Sequence, residues 1–269
     1  MSYWCKKSCF LCFLMTTVAF GLSAENGSRL WLRFAETKVQ NCRFSGISAD
    51  KSLVAVSEFQ RAWKEMNGTE LKFSNNLNDS LLIIGTSENK KIRKLNISKY
   101  LKEVGNEGFI IRSIDKDGKN LTVVAANTNN GLLYGVFSLL RIIQTNQFST
   151  SLEITEKPSY SIRMLNHWDN LDGTIERGYA GHSIWKWDEL PGVVSPRYIE
   201  YARANASIGI NATVLNNVNA SPKILSAEYL QKVKAISGVL RPYNIKVYLS
   251  INFSSPKELG GLPTSDPLE

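Results

Sequence analysis

Three short apolar runs, each ending in a polar cluster and separated by two helix-period segments, constrain this chain more than any other feature of its sequence. The runs are Arg163–Trp168, Asn211–Asn216 and Ile245–Ser250. A helix is predicted from Pro196 to about Ile208, and another after Ser226, with Tyr229, Leu230, Val233, Ile236 and Leu240 at helical spacing. Strand, helix, strand, helix, strand at this spacing demands right-handed crossovers and a parallel sheet. The strand tips read Asn166-His167-Trp168-Asp169-Asn170, Asn216-Asn217-Val218-Asn219 and Ser250-Ile251-Asn252-Phe253. In a (β/α)₈ barrel such carboxyl ends hold the active site. Amides there can bond hydroxyls and an indole can stack on the C–H face of a pyranose, so the cluster suits a sugar. A Rossmann-type sheet is the competing architecture, but no Gly-rich phosphate turn follows any of the three strands.

The preceding stretch, Arg29 to Ile154, has a different rhythm. Leu30, Leu32 and Phe34 alternate as a first strand, and Leu53, Val56, Phe59, Trp63 and Met66 fall at helical spacing after Ser52. Leu81–Ile84 before Gly85 reads as a buried strand. Phe109–Ile111 and Leu121–Val124 flank Asp115-Lys116-Asp117-Gly118, a turn signal for an antiparallel hairpin. A helix from about Asn130 carries Leu132, Leu133, Val136, Phe137, Leu140 and Ile143 on one wide stripe. Mixed elements of this kind indicate an α+β layer domain. Pro158, which favours an extended link, marks the boundary, so the expected organisation is 1–24, 25–157 and 158–269.

Residues 1–24 read as a secretory signal, with Lys6 and Lys7 before an apolar run and Leu22-Ser23-Ala24 before a cleavage point. The run is short for a hydrocarbon core of about 30 Å; a retained membrane anchor is the alternative, and with cleavage no stable membrane association is expected. Cys5, Cys9 and Cys12 would leave with the signal and Cys42 would remain alone, which excludes an internal disulfide and makes thiol, metal and cofactor chemistry unexpected. The triplets at Asn120, Asn211 and Asn252 fall in apparent strands and read as chance rather than glycan acceptors, which favours a bacterial source and a periplasmic or extracellular location. Net charge is +8. The basic stretches with Arg61, Lys64, Lys90, Lys91, Arg93 and Lys94 read as solvated faces, without the aromatic interleaving that nucleic acid requires.

The block His167-Trp168-Asp169-Asn170-Leu171-Asp172-Gly173-Thr174-Ile175-Glu176-Arg177-Gly178-Tyr179-Ala180-Gly181, with Ser183-Ile184-Trp185 and Asn216-Asn217-Val218-Asn219-Ala220, closely resembles the α-glucuronidases of glycoside hydrolase family 67. Asn130-Gly131-Leu132-Leu133-Tyr134-Gly135 resembles the opening of a helix in the non-catalytic domain that precedes the barrel in these enzymes and in β-hexosaminidases. The resemblance implies a hexosaminidase-domain-2-like α+β domain followed by the first three strands of a (β/α)₈ TIM barrel. It also implies inverting hydrolysis of the α-1,2 link between glucuronic acid, or its 4-O-methyl ether, and the terminal xylose of a xylo-oligosaccharide. Inversion needs two opposed carboxyls roughly 6.5–9.5 Å apart. By the resemblance those carboxyls and the uronate-pairing basic residues lie beyond Glu269, and family members are often dimers.

About 110 residues follow Ser159, against roughly 250 for a whole barrel. The sequence ends in a loop without a terminating helix, so it reads as a catalytically inert amino-terminal fragment. By match to the family pattern, Trp168 and Val218 resemble the pair that packs against the 4-O-methyl group. His167, Asp169, Asn216 and Asn219 are expected rim or hydrogen-bonding groups from their strand-end positions. The bland reading of Trp168 is barrel filler. Asp169 and Asp172 are too close in sequence to straddle one glycosidic bond, Glu176-Arg177 reads as an ion pair ordering the loop, and His182 as a loop residue. A non-catalytic carbohydrate-binding protein, or another glycosidase such as a β-hexosaminidase, is the alternative.

Overall fold

The computed structural model describes residues 32–35, 44–217, 219 and 221–265. The signal segment, all four cysteines and Val218 lie outside the described residues.

The described part of the expected first strand, Leu32–Ala35, is not extended into a sheet, although Phe34 is buried in the core. The first strand is instead β1 (Gly46–Ser48), followed by α1 (Val54–Asn67), β2 (Leu81–Thr86), the single-turn helices α2 (Lys90–Arg93) and α3 (Ser98–Leu101), β3 (Phe109–Lys116), β4 (Lys119–Ala126), α4 (Asn129–Gln144) and β5 (Glu153–Glu156). The strands form one sheet in the order β1-β2-β4-β3-β5. β1, β2 and β4 are parallel, and β3 is antiparallel to both β4 and β5. The hairpin closes at Lys116↔Lys119 with Asp117 and Gly118 at φ 54° and 72°, as an Asp-Gly turn requires.

Both faces of this sheet are covered, which is why β2 is apolar without alternation. Leu82 and Ile84 join Phe59, Trp63, Leu132 and Val136 beneath α1 and α4. Leu81 and Ile83 pack on the other side with Ile92, Ile97 and Leu101 from the α2–α3 region. Thr128 caps α4 by accepting from the Gly131 amide at 3.3 Å. Gly131 itself is sterically required, since a Cβ there would collide with the Gly108 carbonyl oxygen.

The second sheet holds β6 (Met164–Asn166), β7 (Ala212–Val214) and β8 (Lys246–Tyr248), with α5 (Arg197–Ser207) between the first two and α6 (Ala227–Leu240) between the last two. All pairings are parallel in the order β6-β7-β8, as the sequence rhythm demanded. Ser226 caps α6 through the Tyr229 amide. A short helix α7 (Ser255–Gly260) follows β8, where the sequence reading expected only a loop; Pro256 sits at its start, where its missing N–H costs nothing.

Two polar clusters join the second sheet to the first. On the helix side, Arg203 of α5 donates from Nε to both oxygens of Glu58 on α1, at 2.9 and 2.8 Å, with both side chains almost fully buried. The Tyr243 hydroxyl donates to Glu58 at 3.0 Å, and Glu200 accepts from Arg203 at 2.7 Å and Arg61 at 2.9 Å. Arg61 is therefore structural, not part of a solvated face. Lys91 is likewise committed, to Ser48 Oγ at 2.5 Å and the Asn75 carbonyl at 3.0 Å, and Arg93 donates to the Glu88 carbonyl.

The second cluster centres on Glu107, just before β3. It accepts from Arg163 at 2.7 Å, from Asn244 at 2.7 Å and from Asn211 at 3.2 Å. These three residues precede β6, β8 and β7 respectively, so one carboxylate gathers the amino ends of all three parallel strands. Asn211 is 3% exposed and fully engaged, which is incompatible with a glycan there.

Candidate sugar site at the strand tips

Alternation along the second sheet sorts its side chains into two faces. Leu215, Val247 and Leu249 pack with Trp185, Tyr198, Tyr201, Ile236 and Leu240 beneath α5 and α6. The residues between them, including Asn166, Val214 and Tyr248, turn to the opposite face. That face carries no helix among the described residues.

His167 belongs to the helix side. Its Nε2 lies 2.8 Å from the Tyr201 hydroxyl, which is 3.0 Å from Thr213 Oγ1, and its ring meets Trp185 edge-on. Burial pushes the Tyr201 hydroxyl up to about 12, so this chain of contacts stays protonated at Tyr201 at neutral pH. Asp169 is 2% exposed and accepts from the Ser183 hydroxyl, with His167 Nδ1 at 3.6 Å from its other oxygen. Ser183 Oγ in turn accepts from the Trp185 amide at 3.0 Å. The expectation that His167 and Asp169 bond sugar from the rim therefore changes: their polar atoms are turned to protein partners, and they hold the loop after β6.

Asn216 changes in the same way. Its amide donates to the Ser250 carbonyl and accepts from the Ser250 amide, both at 2.9 Å, which extends the β7–β8 ladder one side-chain rung past the strands. Asn217 ties the third connection, donating from its backbone to Asp169 O at 2.8 Å and accepting from the Asn219 amide at 3.0 Å. Asn219 keeps an exposed side chain.

Trp168 stands apart from these neighbours. It is 50% exposed, and the Glu176 amide donates to its carbonyl at 2.7 Å. Continuing the β6–β7–β8 register by two residues puts Trp168, Asn216 and Ser250 in one row. The loop that holds Trp168 is internally bonded: Asn170 Nδ2 donates to Thr174 Oγ1 and the Glu176 carbonyl, and Asp172 accepts from the Thr174 hydroxyl and amide. Those bonds from Thr174 hold the Asp172 carboxyl below its ordinary range. Glu176 does not pair with Arg177. It sits at φ 56° with its carboxylate bonded to the Tyr179 hydroxyl, which raises that phenol, while Arg177 is exposed. Asp169 and Asp172 thus serve separate turns, and His182 is an exposed loop residue whose backbone bridges to Thr174.

Sequence reasoning missed Asn166 and Tyr248 as partners of Trp168. The signal was there in the period of two, which places Asn166 with Trp168 and against His167. A cleft of about 780 Å³ lies elsewhere, at the amino ends of the strands between Glu107, Arg141, Arg163 and Gly209. Glu107 and Arg163 are engaged there by the strand-gathering cluster. Among the described residues no group of three or more His, Cys, Asp or Glu is arranged to hold a metal ion. No helix among them is long and apolar enough to cross a membrane.

A leading mixed sheet followed by parallel strands bearing a sugar-type tip is the layout of a multidomain glycoside hydrolase, and the comparisons agree. A solved family GH115 4-O-methyl-α-glucuronidase with specificity for decorated arabinogalactans shares the fold, with a TM-score of 0.56 and 15% identity over 86% of this chain and 32% of that one. Residues 30–139 match the glycosyl hydrolase family 67 N-terminus and residues 142–269 its middle domain, so the chain belongs to glycosyl hydrolase family 67. A probable α-glucuronidase A of Aspergillus oryzae is 35% identical over 97% of this chain, and the α-glucuronidase A of Aspergillus tubingensis 34% over 96%. The chain spans about a third of the length of these curated relatives, 32% and 31%.

Proposed function

We propose that this chain forms one wall of the uronic-acid pocket of an exported α-glucuronidase. The enzyme to which that wall belongs hydrolyses, with inversion, the α-1,2 bond between glucuronic acid, bare or 4-O-methylated, and the terminal xylose of a xylo-oligosaccharide. In this reading residues 1–24 are the export signal, 25–157 a non-catalytic domain and 158–269 the start of a (β/α)₈ barrel. The relatives named as α-glucuronidases support the reaction class. The observation that carries the site is Trp168: an indole half exposed on the open face of a parallel sheet, held by a loop in which Thr174 ties Asn170 to Asp172.

Trp168 is the sugar platform, Val218 is assigned to the ether methyl by the family resemblance alone, and Asn219 belongs to the rim. His167, Asp169 and Asn216 belong to the site as the groups that fix its shape. The interior-facing rows of the three strands contain no Asp or Glu, so the acid and base that inversion requires are not supplied by these rows. The 269-residue polypeptide alone is accordingly expected to release no 4-O-methylglucuronic acid from a small aldouronic acid, yet to bind the free uronic acid. Product release by the purified chain would overturn the first expectation. Absence of any uronic-acid binding by saturation-transfer NMR would overturn the second.

A further inference from the structure

The leading domain carries a basic face that the sheet topology sets apart from the second sheet. Residues 88–103 hold six Lys or Arg against two Glu, so this stretch carries a net +4 out of the chain's +8. It forms α2, α3 and their connections, whose Ile92, Ile97 and Leu101 cover the side of the leading sheet that Leu81 and Ile83 face. The other side is covered by α1 and α4, and it is this layer that meets the second sheet, through Glu58–Arg203 and the packing of Ala206. The leading sheet thus has both of its layers, and the exposure of the basic face owes nothing to the open face at the strand tips.

A groove of about 360 Å³ opens on this face. Its floor is apolar, from Ile92, Ile97 and Leu101, and the exposed Arg93, Ser98 and Lys102 stand at its rim. Arg93 donates from Nε and Nη2 to the Glu88 carbonyl at 3.1 and 2.6 Å, which fixes the guanidinium without neutralising it, because the acceptor carries no net charge. Among the described residues none of Lys90, Arg93, Lys94, Lys99 and Lys102 forms an ion pair, whereas Arg61, Arg163 and Arg203, which join the two sheets, are all paired. Like charges gathered on one face repel, and an anion seated among them removes that repulsion. Polyanions differ in what else they require. A single-stranded nucleic acid needs an aromatic face for stacking, and the ring of Tyr100 already carries Arg112 at 4.1 Å and Lys99 at 4.7 Å from its centre. An anionic membrane surface needs projecting apolar side chains, and the stretch exposes no large hydrophobic residue. A polyuronate needs cations for its carboxylates, polar partners for its hydroxyls and an apolar strip for its C–H faces, and the groove supplies all three.

We propose that this groove is a docking surface for an acidic polysaccharide, a xylan chain bearing glucuronic acid, with its carboxylates on Arg93 and Lys102 and its sugar backbone along the apolar floor; the choice of polymer rests on the reading above. The test measures binding of the full 269-residue chain to soluble 4-O-methylglucuronoxylan, and to xylan without uronic acid, by titration calorimetry with thermal melts in parallel. The acidic polymer should bind about tenfold more tightly, and its advantage should shrink from low to high salt. Arg93→Gln/Lys102→Gln should weaken that binding about tenfold at an unchanged melting temperature. Lys223→Gln/Lys234→Gln, which removes the same charge from exposed positions on and before α6, should change it by less than about twofold. Lys102→Gln alone, at an exposed position, should give about a threefold loss. The proposal is overturned if the unsubstituted chain binds both xylans alike or neither, if the two double variants weaken binding equally, if Lys102→Gln leaves it unchanged, or if duplex DNA competes as well as the acidic xylan. Trp168→Ala separates this docking surface from the sugar wall, since it should lose free 4-O-methylglucuronic acid and keep the polymer. Loss of the polymer in Trp168→Ala with full binding by the groove variants would overturn the groove alone. Polymer binding by a chain that does not bind the free acid would overturn the sugar wall alone.

Discussion

The two ends of the three-stranded parallel sheet are built on opposite principles. At the amino ends, Glu107 consumes the polar groups of Arg163, Asn211 and Asn244, and the Asn244 amide also meets the Tyr134 hydroxyl at 2.9 Å and Asn130 at 2.7 Å. At the carboxyl ends a comparable set of amides is present, but Trp168 is 50% exposed, and Asn166 and Tyr248 lie exposed on the same face of the sheet. Composition is similar and the outcome differs: a polar group bonded to its own chain contributes to stability, while one on the open face is left to solvent or to whatever packs there. The state of a group, engaged or open, is thus more informative than the residue type itself.

The sharpest way to break this contrast is on the engaged side. Arg203→Ala would leave Glu58 as an uncompensated buried carboxylate between α1 and α5. It is expected to cost about 3–5 kcal/mol, read by denaturant unfolding. A loss under about 1 kcal/mol would mean that the joint between the two sheets is not held by this pair. Glu107→Ala comes next. It strips three strand starts of a shared acceptor, with an expected loss of about 1–3 kcal/mol that Glu107→Gln recovers in part by keeping one acceptor oxygen.

The same carboxylates give the engaged end a pH signature. Burial alone would raise Glu107, but the hydrogen bonds from Arg163, Asn244 and Asn211 together outweigh it and hold the carboxyl below its ordinary range. Glu200 behaves alike, with burial opposed by Arg61 and Arg203. A carboxyl depressed in the folded state stabilises the fold fully above its unfolded pKa, about 4.3, and that contribution disappears as pH falls through the lower folded value. Unfolding free energy should therefore be level from pH 7 to about pH 5 and decline below about 4.3. In Glu107→Gln the decline should be shallower, and an identical slope in variant and parent would remove Glu107 from the account.

Much of this architecture is legible in the sequence. The strand, helix, strand rhythm after Pro158 can satisfy its backbone only as a parallel sheet, and Asp117-Gly118 can close only a hairpin of that hand. What was illegible has a common cause. Glu107, Arg163, Asn211 and Asn244 are dispersed over more than a hundred residues, and no local pattern announces that they meet. The same holds for Glu58 and Arg203, 145 positions apart. At the tips, the family block brought forward His167, Trp168 and Asp169 as a unit, whereas the period of two turns Trp168 away from the other two. Sequence adjacency in a strand means opposite faces, and only Trp168 of the three turns its side chain to the open face.

The smallest stability effect is expected at the site itself. Trp168→Ala removes the largest side chain on the open face, yet half of that surface is already in water, and its indole N–H bonds nothing among the described residues. Truncation there deletes no core contact of the kind that makes a buried tryptophan cost about 3–5 kcal/mol. The expected change is within about 0.5 kcal/mol, the range of ordinary surface substitutions, while uronic-acid binding is lost. A large destabilisation would return Trp168 to the class of barrel filler and leave the outward-facing end of the sheet without its platform. The size of the thermal shift in this one variant therefore separates a tryptophan kept for packing from one kept for sugar.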